Sequence, residues 1–287
     1  MSWFTDLFIN EVKPALIRHS GVADGSATDP DSTTYEDTLV ELINGNSSDI
    51  DMSVLGNINT IDSYAFYGMD NISTILLPNN IKTISESAFY ACSALTSVTL
   101  SDSVRTIERR AFYGCTSLAL TSLPANIESI GESAFSNCSK LALTSLPNTL
   151  TSIGASAFSS CSQLALTSLP DTITDIGTYA FSNCTKLALT SLPDNITSVN
   201  DSTFYMCKNL ALNSLPNKIL TIGNSAFYNC TGLKTLTFKG TPSSINGGAF
   251  SNCTNLTVIN VPWAEGAISG APWGATKATI NYNYTGG

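Results

Sequence analysis

Charged side chains are scarce in this chain. They make up 12% of its 287 residues, whereas about a quarter is usual in soluble globular proteins. We therefore expect a surface made mainly of Ser, Thr and Asn, which form hydrogen bonds but attract little at long range. Residues 1–50 carry nine acidic and two basic residues, which accounts for most of the net charge of −9. Neither residues 1–50 nor the rest of the chain have the basic stripe that binding to a phosphate backbone requires, so nucleic acid is not an expected partner.

Histidine is nearly absent, since His19 is the only one. The eight cysteines therefore lack a positioned His base, and their regular spacing of 23 residues does not match a zinc site. We expect acidic residues such as Glu128 and Glu132 to be solvated rather than paired as in a glycosidase. The sequence thus predicts no enzymatic activity, no metal and no cofactor.

Long apolar runs are also missing, because no uninterrupted stretch reaches the length of a transmembrane helix. The first twenty residues contain Asp6 and Glu11 where a secretory signal would need an unbroken apolar core. We expect neither insertion into a membrane nor export by such a signal.

The chain instead carries a repeat of 23 residues. Nine phenylalanines follow this spacing without insertion or deletion: Phe66, Phe89, Phe112, Phe135, Phe158, Phe181, Phe204, Phe227 and Phe250. Ile or Val lies five residues before each Phe, and Leu or Ile lies six after it. A single 23-residue unit cannot bury these side chains, whereas stacked copies place each Phe on the next. The sequence therefore predicts a solenoid with one continuous core.

A cysteine lies three residues after each of the last eight phenylalanines, and Met69 fills that position in the first copy. Stacking aligns these cysteines on successive turns, roughly 4.8 Å apart. A disulfide prefers a Cβ separation of roughly 3.8 Å. We therefore expect all eight cysteines to be reduced, buried and unreactive.

Copies three to seven differ from the others after the Phe. They read Leu-Ala-Leu-Thr/Asn-Ser-Leu-Pro, so an apolar residue comes one position earlier than in copies one, two, eight and nine. We expect a bulge or shifted register that turns one polar residue per copy outward, as a hydroxyl ladder on the strand face: Thr121, Thr144, Thr167, Thr190 and Asn213. The ladder is a candidate binding surface, although Thr also simply suits exposed strand positions.

A second candidate surface contains tyrosines that directly follow the Phe in the first three copies: Tyr67, Tyr90 and Tyr113. Arg105, Arg109 and Arg110 are nearby. Tyrosines stacked one turn apart can hold sugar rings or partner side chains. Alternatively, they cover the apolar outer turn. Tyr205 and Tyr228 form a shorter second patch.

The two ends depart from the repeat. Residues 1–20 predict an amphipathic helix whose apolar residues serve attachment and oligomerisation, or else cap the solenoid: Trp3, Phe4, Leu7, Phe8 and Val12. Residues 21–49 predict an acidic linker and a short capping helix. Residues 50–262 form the solenoid, and residues 263–287 a C-terminal cap containing two Trp and an edge strand.

The patterns Leu-x-x-Val-x-Leu-(Pro) and Ile-Gly-x-x-Ala-Phe-x-x-Cys resemble the BspA-like (Treponema pallidum type) leucine-rich repeat family over roughly residues 50–262. The resemblance implies an α/β repeat solenoid and a scaffold that mostly binds other molecules. The ending Pro-Trp…Pro-Trp-Gly-Ala-Thr…Ile-Asn-Tyr-Asn-Tyr is similar to that of BspA-like proteins carried by phages and prophages of gut Firmicutes.

These resemblances lead to the hypothesis of a non-enzymatic virion protein, assembled in the host cytoplasm and associated with the phage tail. It would form a homo-oligomer and contact neighbouring virion proteins or a glycan or protein of the bacterial surface. The alternative is an adhesin on the bacterial cell surface.

Overall fold

The computed structural model describes residues 48–53 and 58–286. The helices predicted within residues 1–20 and 21–49 therefore lie outside the described residues, apart from the last two positions of the second segment. The described residues form sixteen short strands: β1 (Asp49–Asp51), β2 (Thr60–Ile61), β3 (Thr74–Leu76), β4 (Thr83–Ile84), β5 (Ser97–Thr99), β6 (Thr106–Ile107), β7 (Ser129–Ile130), β8 (Ser152–Ile153), β9 (Asp175–Ile176), β10 (Ser198–Val199), β11 (Ser214–Leu215), β12 (Thr221–Ile222), β13 (Thr235–Phe238), β14 (Ser244–Ile245), β15 (Val258–Asn260) and β16 (Thr279–Asn281).

The strands stack in two columns, and every pair is parallel. The column before each Phe contains a six-stranded sheet, β2-β4-β6-β7-β8-β9, and a three-stranded sheet, β10-β12-β14. The column after the Phe contains the sheets β1-β3-β5 and β11-β13-β15-β16. Partners such as Ile61 and Ile84 lie one 23-residue period apart. The predicted solenoid is therefore confirmed as a parallel β-solenoid of leucine-rich repeats.

The helical part of the α/β assignment is wrong, because residues 48–53 and 58–286 contain no helix; nor, within the same residues, is there any segment able to cross a membrane as a helix. The segment around each Phe is a chain of turns. In copy four, the N–H groups of Ala134, Ser136 and Cys138 each donate to the carbonyl three residues earlier. The N–H groups of Ser133 and Phe135 instead donate to carbonyls of the next copy.

The backbone conformation explains why these turns do not become a helix. Ser133 has a φ of 55° and Asn137 a φ of 63°, and corresponding residues in the other copies are similar. A right-handed helix requires negative φ at every residue. Two left-handed residues in each of copies one to eight, and one in copy nine, therefore break any helix and direct alternate N–H groups toward the neighbouring copy.

The core consists of aligned side chains from successive copies. All nine Phe rings are fully buried, and consecutive rings stack nearly parallel with centroids 5.0 to 5.7 Å apart. All eight cysteines are free and buried, as expected. Each thiol donates to the Phe carbonyl of the preceding copy; the distance from Cys161 Sγ to the Phe135 oxygen is 3.0 Å. Stacking of the copies thus buries each thiol and also gives it a hydrogen-bond acceptor.

Copies three to six have no strand after the Phe within the described residues, which corrects the expectation of a continuous strand face there. In copy four, Leu141, Leu143 and Leu146 are buried while Thr144 and Ser145 are both exposed. Two consecutive exposed residues are incompatible with the alternation of a strand, so the chain bends at Thr144. The early leucine enters the core as the sequence indicated, but its polar neighbour lies on a bend.

The last turn is closed by residues from beyond the repeat. Trp263 and Trp273 are buried, and Trp263 packs edge-on against Phe238 at 5.2 Å between ring centroids. The N–H of Phe250 donates to the carbonyl of Trp273, whereas the N–H of each earlier Phe in the ladder donates to a carbonyl of the next copy. β16 pairs with β15 and forms the last strand of its sheet.

Candidate functional site

The first exposed surface is a ridge formed by the bends of copies three to six and continued by Asn213 and Ser214 of copy seven, where strand β11 begins; it is here called the hydroxyl ridge. It contains two successive polar residues per copy: Thr121–Ser122, Thr144–Ser145, Thr167–Ser168, Thr190–Ser191 and Asn213–Ser214. Thr121, Thr144, Thr167, Thr190 and Asn213 are all exposed, as predicted. The ridge presents neutral donors and acceptors at a regular interval of one turn, and it carries no charged side chain.

The second surface is the tyrosine ladder of Tyr67, Tyr90 and Tyr113. Its ring centroids are 4.7 and 4.8 Å apart and the ring planes differ by 4° and 6°. Both faces of Tyr90 are therefore covered by its neighbours, so a sugar ring cannot stack on it. Tyr64 covers the outer face of Tyr67, with ring centroids 5.8 Å apart. The ladder consequently offers ring edges and hydroxyl groups rather than aromatic faces.

A shorter pair of rings repeats this arrangement near the other end. Tyr205 and Tyr228 stack at 4.8 Å, and the hydroxyl of Tyr228 accepts a hydrogen bond of 2.7 Å from the side-chain amide of Asn252. Serine occupies the corresponding positions in copies four to six. The tyrosine ladder and this pair are therefore two separate aromatic surfaces.

The arginines beside the tyrosine ladder are engaged by acidic residues. Arg109 Nη1 lies 2.7 Å from Glu86 Oε1, and its Nε lies 3.6 Å from Glu132 Oε1. The hydrogen bond that Arg109 donates to Glu86 raises the pKa of Arg109 above its ordinary value. Arg105 pairs more loosely with Glu128 at 3.8 Å. Arg110 is half-buried and has a φ of 55°.

The same contacts bear on the possibility of catalysis. Glu128 lies 3.8 Å from Arg105 and Glu132 lies 3.6 Å from Arg109, so each carboxylate faces an arginine. Burial raises the pKa of Cys138 and of the equivalent thiols in copies five to eight well above its ordinary value, so these thiols are poor nucleophiles. Within the described residues, no three His, Cys, Asp or Glu side chains are grouped to hold a metal. His19 and the attachment residues Trp3, Phe4, Leu7, Phe8 and Val12 lie outside the described residues.

A third surface, which was not predicted from the sequence, is a groove of about 470 Å³ that crosses copies six to nine. We call it the polar groove. It follows the ends of β10, β12 and β14 and is lined by Thr178, Asn200, Asp201, Thr221, Asn224, Ser244 and Asn246, together with Gly223 and the strand residues Val199, Ile222 and Ile245.

The polar groove includes the junction between copies six and seven. In copies four, five, six and eight the residue four before the Phe is glycine, which allows close approach: a Cβ at Gly177 would lie 2.4 Å from the backbone nitrogen of Ala155. Copies one to three, seven and nine carry other residues there, and Asn200 is the one in copy seven. The side-chain amide of Asn200 donates to the carbonyl of Ile176 at 2.7 Å, in the place of a backbone N–H, and the ladder of β9 does not continue into β10. The irregular junction thus coincides with Asn200, whereas Asn246 keeps the ordinary backbone bond to Ile222.

The sequence matches the family described as the BspA type leucine rich repeat region, with six copies over residues 46–165 and 157–269. No curated protein matches the chain. A solved leucine-rich repeat protein from Bacteroides ovatus is 27% identical with a TM-score of 0.59, covering 79% of this chain and 64% of its own. This chain thus spans less than two thirds of that protein. A leucine rich cell surface protein from Faecalibacterium prausnitzii is 23% identical with a TM-score of 0.50, covering 83% of this chain and 79% of its own; that likeness concerns the fold alone.

Proposed function

We propose, because this chain belongs to the BspA type leucine-rich repeat family, that it is a non-enzymatic protein that binds a partner macromolecule through the outer surface of its solenoid. The hydroxyl ridge carries this proposal. Copies three to six keep Thr followed by Ser on the exposed bend, and copy seven continues the row with exposed Asn213 followed by Ser214, although packing of the buried leucines does not require a particular polar residue there. A row of neutral hydrogen-bonding groups suits a partner that is itself extended.

The finer proposal is a virion protein associated with a phage tail, with the solenoid directed toward a receptor of the bacterial surface or a neighbouring virion subunit. The support is the sequence of the two ends. The Pro262-Trp263 and Pro272-Trp273-Gly274 elements are similar to those of phage-borne proteins, and residues 1–20 have the apolar pattern of an attachment and oligomerisation helix. Assembly would then take place in the host cytoplasm.

The ridge is tested by placing bulky charged side chains on it. The double variant Thr144→Lys/Thr167→Lys is compared with Thr151→Lys/Thr174→Lys, whose residues are exposed in neighbouring copies away from the ridge. We expect labelled wild-type protein and the second variant to bind the bacterial cells that carry the gene or its phage, and the ridge variant to bind at least about tenfold less, since each buried polar group left unpaired costs about 1–3 kcal/mol. Equal binding by both variants would exclude the ridge.

The location is tested with antibody-gold labelling of purified phage particles and of intact uninfected cells. Label on tails, lost when residues 1–20 are deleted from an otherwise folded chain, supports the virion proposal. Label confined to the surface of uninfected cells instead supports the adhesin alternative. A truncated protein that still joins particles normally would refute attachment through residues 1–20.

A further inference from the structure

Tyr179 lies beside the polar groove and differs from the other exposed tyrosines of the repeats. It directly follows Thr178 of the groove lining, and its backbone N–H donates to the carbonyl of Asp201 at 3.1 Å. Its side chain is 49% exposed. Among the described residues, no aromatic ring lies against it, whereas the rings of the tyrosine ladder cover one another. Part of the Tyr179 ring is therefore accessible to a ligand, and no neighbouring ring among the described residues covers it.

The repeat requires a left-handed residue at the position of Tyr179, as it does in the other copies up to copy eight. The φ of Tyr179 is 57°, a left-handed conformation that is unfavourable for a bulky residue. Other copies place serine at this position, as at Ser156 and Ser202, with similar φ. Because serine fits this conformation with less strain, the tyrosine is not needed for the turn. It adds an exposed aromatic side chain next to Thr178 of the polar groove.

The chemistry of the groove lining selects among classes of ligand. Three amide side chains, three hydroxyl groups and one carboxylate line it, and no Lys, Arg or His does. A phosphate or other polyanion would find no positive charge there. The apolar lining residues Val199, Ile222 and Ile245 are buried, so a hydrophobic ligand would gain little surface. A neutral ligand rich in hydroxyl groups matches what remains.

The hydrogen-bonding groups are held in place by the fold. Asp201 Oδ1 accepts the N–H of Asn224 at 2.7 Å, which fixes the carboxylate and leaves its second oxygen for a ligand. Asn246 Oδ1 accepts the N–H of Gly248 at 3.0 Å, which turns its NH₂ group away from that bond. A Cβ at Gly247 would meet no atom within 4 Å, so the groove is open at this end.

From these observations we propose that the polar groove and Tyr179 form a binding site for a neutral oligosaccharide. The tyrosine face stacks on the C–H face of a sugar ring, and Asp201, Asn224 and Asn246 bond to its hydroxyl groups. The groove crosses four copies, a length of roughly 14 Å at roughly 4.8 Å per turn, so it takes an extended chain lying parallel to the solenoid. This site rests on the proposed function only in that the protein binds a partner.

The test is an array of neutral and charged oligosaccharides probed with the full chain, followed by calorimetric titration with the neutral oligosaccharide that gives the strongest signal. We expect Tyr179→Ser and Asp201→Asn each to weaken binding about tenfold or more, because each removes one of the two principal contacts. Both substitutions preserve the fold: serine is the usual residue at the first position, and asparagine keeps the acceptor for Asn224. Thermal unfolding of each variant verifies this.

Two matched variants are the controls. Tyr64→Ser changes a tyrosine at the same repeat position in copy one, and Glu132→Gln changes an acidic residue at the position equivalent to Asp201 in copy four. Neither should alter binding. The proposal is overturned if only charged oligosaccharides or peptides bind, if nothing on the array binds, or if Tyr179→Ser and Asp201→Asn bind as wild type does. Cell or particle binding that survives in those two variants would retain the proposed function while rejecting the groove.

Discussion

Truncation of one ring in the middle of the phenylalanine ladder tests how the solenoid holds together. Phe158 is fully buried, and its ring stacks on Phe135 and Phe181 with centroids 5.6 Å away on both sides. Substitution with alanine removes the buried ring and both stacking contacts and leaves a cavity between rigid neighbours. Because the backbone on both sides is fixed by hydrogen bonds to adjacent copies, the cavity cannot collapse easily.

The expected cost of Phe158→Ala is about 3–5 kcal/mol of the free energy of unfolding, the range for a buried Phe truncated to Ala. The two stacking contacts, each worth about 0.5–1.5 kcal/mol beyond area burial, place it in the upper half of that range. Urea unfolding is followed by far-UV circular dichroism for the whole solenoid and by Trp fluorescence, which reports the C-terminal closure through Trp263 and Trp273 among the described residues.

The control is Ser159→Ala, which changes the half-buried neighbouring residue and should alter stability by less than about 0.5 kcal/mol. A loss below about 1 kcal/mol for Phe158→Ala would refute the packing argument. Repeat arrays transmit stability between nearest neighbours, so we also expect the fluorescence and dichroism transitions to shift together. Separate transitions would mean that the ladder does not couple distant copies.

Three further predictions follow from the thiols and the glycines. Alkylation of the folded protein should label few cysteines, and mass spectrometry that finds disulfide-linked peptides would contradict the ladder of free thiols. Burial raises the pKa of Cys253 from 9.0 to about 12. Between these values the native state holds a proton that the unfolded chain releases, so the free energy of unfolding should be constant below about pH 9 and fall between pH 9 and 12. Equal urea midpoints at pH 8 and pH 10.5 would contradict this. Gly177→Ala should destabilise the protein by about 1–3 kcal/mol, because its Cβ would meet the backbone of Ala155. Gly247→Ala is the control and should not destabilise the protein, because the space around Gly247 is open. Equal melting temperatures of the two variants would disprove the close-approach argument.

The core residues could be predicted from the sequence because the same repeat positions are buried in every copy. The fixed spacing of Phe and Cys requires that residues 23 apart lie above one another, and the structure stacks Phe66 on Phe89 and the later rings in the same way. The absence of disulfides followed from the same stacking. These inferences needed only the period and the width of one turn.

The local conformation was harder to predict. Ala-Phe-x-x-Cys places apolar residues three apart, as one turn of a helix also does, and this favoured a helical component. The positions that decide against it are Ser133 and Asn137, whose left-handed backbone is visible only in three dimensions. Small and polar residues recur at both positions, which is a weak signal because they also occur in helices and loops.

The candidate surfaces also differ in how far the sequence could predict them. Exposure of Thr144 and the stacking of Tyr67 on Tyr90 follow from the period, whereas the loss of accessible ring faces depends on the separation of 4.7 Å. The polar groove depends on how copy seven meets copy six, where Asn200 takes the place of a glycine. Repetition predicts what every copy shares, and it cannot predict a site created by one irregular junction.

The constant register of the inner copies makes them exchangeable. Every thiol donates a hydrogen bond to a Phe carbonyl 26 residues earlier, and every contact within the phenylalanine ladder spans one period, so each of copies three to six depends only on its two neighbours. Insertion or removal of one 23-residue unit among these copies would rejoin a ladder with the same partners. The ridge would then gain or lose one bend while the C-terminal closure stays intact. The number of contact points offered to an extended partner can therefore change in whole steps, without new folding information.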